Sequence, residues 1–383
     1  MMDSKTLLPL LKKNDNIDYD SWIKKRLRFL QARLGYVIEI PGAVLTAPQV
    51  LDVIHVINYL KRHNVHNVSL FFRFMCLEIA DKLVYILLED LFYYFVQNIN
   101  CKLELSFPCL KRNILAEGIQ YSALSRLSDK ECFCKSYMSD IFLRHYRKIL
   151  SYDNSSGSAL SVLNQDMAQF FMNNGIKAGY SAQLSEVITE ISGNACEHGE
   201  SDCILDVDVT ESYQKEDDPS QDYYGVNVTI VNYSQHLFHD LLMSKMESNQ
   251  YPQGRYATIA TAKENHSSFW KNEEYTEEDF YMISSFQHKI SGSRRKPQEV
   301  GGTGLTMLIK SLEDYSDSNK CYLLTGKRCF LFEARYLRYD QNKFIGFNQP
   351  NDYIHVAPER SLLVPCCVFF PGSAFNLHFV LKK

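Results

Sequence analysis

Leu184-Ser-Glu-Val-Ile-Thr-Glu-Ile-Ser-Gly-Asn-Ala-Cys-Glu-His-Gly199 is the stretch on which the reading of this chain turns. Leu184, Ile188, Ile191 and Ala195 recur at helical spacing, which predicts one helix with an apolar stripe. Glu190 and Asn194 stand one turn apart on a flanking face, and Glu197 follows one turn later. A carboxylate one turn before a carboxamide suits a site that holds a divalent cation and a water together. The Asn oxygen ligates a hard cation, and the carboxylate orients or deprotonates the water. Gly199 is expected to end the helix, as a residue free to turn left-handed does.

Two later features join this helix. Val226 to Val231 reads as a buried strand, and Asn232 stands at its end. Gly301-Gly-Thr-Gly-Leu-Thr306 then opens another helix. A glycine-rich turn lets the backbone approach a phosphate, and the helix N-terminus behind it offers unpaired N–H groups and the positive end of a dipole. Alone such a turn is weak; after Glu190-x-x-x-Asn194 it gains weight.

Together these residues resemble a family. Glu190-x-x-x-Asn194-Ala-x-Glu197-His-Gly199 is similar to the N-box of the GHKL (histidine-kinase-like, Bergerat-fold) ATPases, with the flavour of the anti-sigma-factor kinases. Gly302-x-Gly304-Leu305 resembles the family's later glycine box. Phe370-Pro-Gly-Ser-Ala-Phe-Asn-Leu-His-Phe379 resembles its closing strand, with Ser373 in the position of a threonine. The resemblance covers about residues 158–383 and implies an ATP and Mg²⁺ site. In it Glu190 positions or activates water and Asn194 ligates Mg²⁺. Gly301, Gly302, Gly304, Leu305 and Thr306 cradle phosphate, Asn232 meets the base, and Ser373 joins a water-mediated contact to the base. The sequence departs from the family where its first glycine box would fall. Asn232-Tyr-Ser-Gln-His236 has no glycine, and Asn232 replaces an aspartate with a neutral acceptor. Three functions stay open: a slow Mg-dependent ATPase that switches partner binding, a serine/threonine kinase of the anti-sigma type, and a non-catalytic nucleotide sensor or scaffold. Proteins of this kind occur in prokaryotic regulatory and defence systems.

Before this region, Tyr36–Ile40, Val68–Phe72 and Leu103–Phe107 read as strands, with helices at Val50–Lys61 and Asp81–Asn98 between them. That order predicts a small α/β unit with a partly parallel sheet. It weakly resembles a STAS domain, and no phosphate loop follows its first strand. Lys5–Leu34 and Lys111–Leu150 are expected to be largely helical. The expected organisation is therefore an N-terminal α/β domain over 1–150, a linker at 151–158 and a nucleotide-binding domain over 159–383. That second domain is expected to have a mixed sheet with helices on one face and a polar lid over about 236–300. The fold class is α/β. Arg294-Arg-Lys296, within the lid, reads as a solvated charge run, and His198 as a structural histidine.

Composition sets outer limits. The chain has 383 residues and a net charge of −4 (41 basic against 45 acidic), which argues against non-specific nucleic-acid binding. Its eleven cysteines include no C-x-x-C pair, so a zinc site is not expected and a reducing compartment is. The apolar run Leu83–Val96 is broken by Glu89 and Asp90 and is too short to span a membrane. The expectation is a cytoplasmic protein with a nucleotide ligand, a protein partner and a possible homodimeric state.

Overall fold

The computed structural model describes residues 6–19, 21–22, 27–30, 35–99, 101–107, 118–154, 157–215, 218, 220–248, 252–270, 274–291, 303–316 and 321–383. The fold is α/β and is built in layers. After the short helix α1 (Leu8–Lys13) come β1 (Leu27–Leu30), β2 (Gly35–Ile40), β3 (Val44–Leu45), α2 (Ala47–Arg62), β4 (Ser69–Phe74), β5 (Glu78–Ile79), α3 (Lys82–Asn98) and β6 (Lys102–Ser106). Four of these strands form a sheet in the order β1-β2-β4-β6. The β2–β4 and β4–β6 pairs are parallel, as strands joined through helices are, and β1 is antiparallel. β3 and β5 make a separate two-residue parallel pair.

Caps fix where the helices begin. Thr46 and Gln49 form a capping box at the start of α2, the Thr46 N–H donating to Gln49 Oε1 at 2.8 Å. Asp81 accepts from the Val84 N–H at 3.1 Å at the start of α3. Every residue of α3 from Lys82 to Val96 is buried, as in a helix enclosed on all sides.

Next come α4 (Lys130–Met138), β7 (Ser139–Phe142), β8 (His145–Leu150), α5 (Gly157–Asn173), α6 (Ala178–Gly199), β9 (Cys203–Tyr213) and β10 (Tyr223–Tyr233). The chain continues through α7 (Asp240–Ser248), α8 (Arg255–His266), α9 (Glu277–Ser284), α10 (Gly304–Tyr315), β11 (Tyr322–Leu331) and β12 (Leu363–Lys382). The second sheet has six strands in the order β11-β12-β10-β9-β8-β7. Expected to be mixed, it pairs antiparallel throughout.

Alternation along its strands gives this sheet two working faces. Leu205 and Val207 on β9, Val226, Val228 and Ile230 on β10, and Phe375, Leu377 and Phe379 on β12 share a core with α5, α6 and α10. Ile204, Val231, Tyr233, Phe370 and Ala374 point the other way, into a core with α2, α3 and the four-stranded sheet. The order of layers is thus four-stranded sheet, helices, six-stranded sheet, helices. Among the described residues no helix is long and apolar enough to cross a membrane.

Several expectations change. Residues 27–30 are a strand, although Lys5–Leu34 read as helical. Within Lys111–Leu150, residues 139–142 and 145–150 form the β7–β8 hairpin, which belongs to the second sheet. The boundary expected at 150 therefore falls just after two of that sheet's own strands. The linker expected at 151–158 holds a short turn at Tyr152–Asn154, and α5 begins at Gly157. The lid expected over 236–300 is a helical insertion whose Leu242, Tyr256, Ile259, Phe280 and Ile283 are buried in the main core. Its polar residues mask three narrow apolar stripes. Gly199 closes α6 without turning left-handed; Glu200 does so instead, at φ 49°. Gly301, Gly302 and Arg294–Lys296 lie outside the described residues.

Candidate functional site

A cavity of about 630 Å³ opens between α6, the N-terminus of α10, the end of β10, the middle of β12 and the helical insertion. That size is ordinary for a small-molecule site. Glu190, Asn194, Asn232, Gly304, Leu305 and Ser373 all line it, so most of the residues singled out in sequence meet there. Thr306 does not line it. Its hydroxyl lies 3.2 Å from His288 Nδ1, tying α10 to the insertion, and burial depresses the His288 pKa.

The floor is built by register. Asn232 on β10 pairs with Ser373 on β12, and both lie on the sheet face that carries Ile230 and Phe375. Gly199 brings the end of α6 against this floor: a Cβ there would overlap the Asn232 carboxamide. Gly372, at φ +98°, lets β12 pass so near the Asn232 backbone that a side chain has no room.

The Asn232 carboxamide is fixed in orientation. Nδ2 donates to Ser201 O at 3.1 Å, Ser201 Oγ at 2.8 Å and Asp202 O at 3.1 Å. Ser201 Oγ gives its own proton to Tyr233 O at 2.6 Å, so toward Asn232 it is an acceptor. With three acceptors around Nδ2, the carbonyl Oδ1 is the remaining polar atom of this buried side chain. The segment that lacks glycines is held by Ser234, whose hydroxyl donates to Gly199 O at 2.7 Å and accepts from the His236 N–H at 3.0 Å.

The walls are apolar: Ile191, Leu237, Phe238, Leu242, Ile290 and Phe375. Phe238 stacks on Phe286 and meets Phe375 edge-on, which holds the insertion against the sheet.

At the other end, Glu190 and Asn194 sit beside the first turn of α10. A Cβ on Gly304 would come within 2.9 Å of Asn194 Nδ2 and 3.3 Å of Glu190 Oε2, so glycine permits this approach. Among the described residues no side chain caps the α10 N-terminus, whose first residues, Thr303, Gly304 and Leu305, line the cavity. Neither the Glu190 nor the Asn194 side chain hydrogen-bonds another described residue. Among the described residues, no lysine or arginine lines the cavity.

Ser201, Ser234, Leu237, Phe238 and Ile290 escaped the sequence reading. Ser201 had one available signal, its place just after the helix that ends at Gly199. Leu237, Phe238 and Ile290 had none, because they belong to an insertion whose composition is polar.

In comparisons with protein-family models, with characterised proteins and with solved structures, the chain gives no match.

Proposed function

We propose that this chain binds Mg-ATP in the manner of the GHKL ATPases and hydrolyses it slowly. The observation that carries the reading is the convergence of two different polar ends in one apolar-walled cavity. One end is a fixed carbonyl acceptor, Asn232 Oδ1. The other is a carboxylate and carboxamide without side-chain partners among the described residues, beside a helix N-terminus that no described side chain caps. A purine with an exocyclic amine fits the first end, and a metal-bound triphosphate fits the second.

The roles follow from the chemistry of each group. Asn194 would ligate Mg²⁺ through its carbonyl oxygen, and Glu190 would orient or deprotonate the attacking water. Bound Mg²⁺ would neutralise phosphate charge, for which the described cavity lining offers no lysine or arginine. The N–H groups of α10 would meet phosphate oxygens. Leu237, Phe238 and Ile290 would enclose the base and keep water from it. Because Phe238 and Ile290 belong to the insertion, that element would register occupancy and pass it to a protein partner.

Calorimetric titration with Mg-ATP, followed by phosphate-release assays, tests the proposal. Binding by the wild type is expected, with turnover lost and binding kept in Glu190→Ala. No binding at millimolar Mg-ATP would sink it. Label transferred from the γ-phosphate to a protein hydroxyl, in place of free phosphate, would make the chain a kinase with the same site.

A further inference from the structure

Between the N-terminal layer and the back of the six-stranded sheet, buried acids outnumber the bases that face them among the described residues. Asp206 and Asp208 point there from β9, and Glu89 and Asp90 from the middle of α3; none is more than 1% exposed. Two buried cations serve them, Lys82 and Arg147. Lys82 reaches Asp206 at 2.6 Å and also bonds Asp208. Arg147 reaches Asp206 at 2.8 Å and also bonds Glu89. His145 Nε2 lies 3.0 Å from Asp206 Oδ2. Even with His145 counted as a cation, four acids face three bases among the described residues. A net charge sealed away from water is costly, and binding a proton relieves it.

The geometry singles out Asp90 as the proton's seat. Glu89, Asp206 and Asp208 each touch a cation directly, whereas Arg147 Nη2 stays 4.0 Å from Asp90 Oδ1. Asp90 instead accepts from two tyrosine hydroxyls, Tyr137 at 2.9 Å and Tyr233 at 2.7 Å. Among the described residues, the titratable groups facing it are Glu89 on α3, Tyr137 on α4, Arg147 on β8 and Tyr233 on β10.

We propose that this interface is a proton-operated clamp: Asp90 holds a proton while the N-terminal layer is fastened to the sheet, and losing it weakens the fastening. Burial pushes the Asp90 carboxyl up to about 7, against the opposing pull of Arg147, Tyr233 and Tyr137. In the unfolded chain the same carboxyl titrates near 3.8. Between those values the native chain holds a proton that the unfolded chain has released. The stability due to this proton is complete below the window and is lost as pH rises through it. Tyr233 directly follows Asn232, so the clamp grips the same strand that forms the cavity floor, from its opposite face.

The test is denaturant unfolding of the full chain, without ligand, from about pH 5 to 8.5, in wild type and Asp90→Asn. Asn imitates the protonated acid, and groups that titrate in both proteins cancel in the ratio. The wild-type unfolding constant relative to the variant's is expected to rise by up to about tenfold per pH unit until about pH 7, then level off. Tyr233→Phe removes a donor that favours the ionised form and should move the plateau to higher pH. Should Asp90→Asn fail to fold, the infrared carbonyl stretch of protonated carboxyl groups in wild type and Tyr233→Phe reads the same shift. A ratio that stays flat across the range overturns the proposal. So does a plateau or infrared midpoint that Tyr233→Phe leaves unmoved.

Discussion

The two faces of the six-stranded sheet carry polar groups under opposite rules. Toward the N-terminal layer, Asp206, Asp208, Lys82, Arg147, Glu89 and Asp90 are all buried; the first five bond one another, and Asp90 accepts from Tyr137 and Tyr233. Toward the cavity, the Glu190 and Asn194 side chains make no such bonds among the described residues, and Asn232 fixes one end of its carboxamide while the other remains. A polar group that the protein itself satisfies is structural; one held in place and left open is available to a ligand. Alternation decides the division. On β10, Asn232 faces the cavity and Tyr233 faces Asp90.

The sharpest way to break this contrast is to remove a buried cation. Lys82→Met leaves Asp206 and Asp208 short of a partner and should cost about 3–5 kcal/mol, read as a large fall in the denaturant midpoint. The next effect in size comes from the floor. Gly372→Ala forces a side chain into a left-handed position against the Asn232 backbone, and about 1–3 kcal/mol of stability should be lost. On the cavity face the expectation reverses. Asn194→Ala should leave stability within about 0.5 kcal/mol of wild type while weakening Mg-ATP binding at least tenfold by calorimetry, or about 1.4 kcal/mol. Glu190→Ala, smallest in its effect on folding, should unfold like the wild type and retain binding; a marked loss of stability would show that this carboxylate is structural.

What could be read from the chain beforehand depended on how local each signal was. Helix α6 carries its apolar stripe and its Glu190–Asn194 spacing within sixteen residues, and Cys203–Val209 alternates as a strand must. The six-residue run 301–306 marks α10 through Gly304. By contrast, Arg147 and His145 sit in a charged stretch that reads as helix. Their partners Glu89 and Asp206 lie 58 and 61 residues away, respectively, so the sequence pattern does not reveal that they pair inside a sheet. The insertion misled in a similar way. Tyr256, Ile259, Phe280 and Ile283 are too sparse in any one helix to outweigh its polar composition, yet together they enter the core. Thr306 followed the glycine turn in sequence, but the helical rotation past Gly304 and Leu305 takes it off the cavity lining and onto His288.

The β7–β8 hairpin has a practical consequence for anyone dividing the gene. A fragment starting at residue 151 would omit the strand that borders β9 and would carry neither Arg147 nor Lys82. Asp206 and Asp208 would then stand on a bare acidic surface beside an open backbone edge, an arrangement that invites aggregation. The portable unit therefore does not begin at the serine-rich stretch that looks like a hinge, and a usable expression boundary has to be sought upstream of α3.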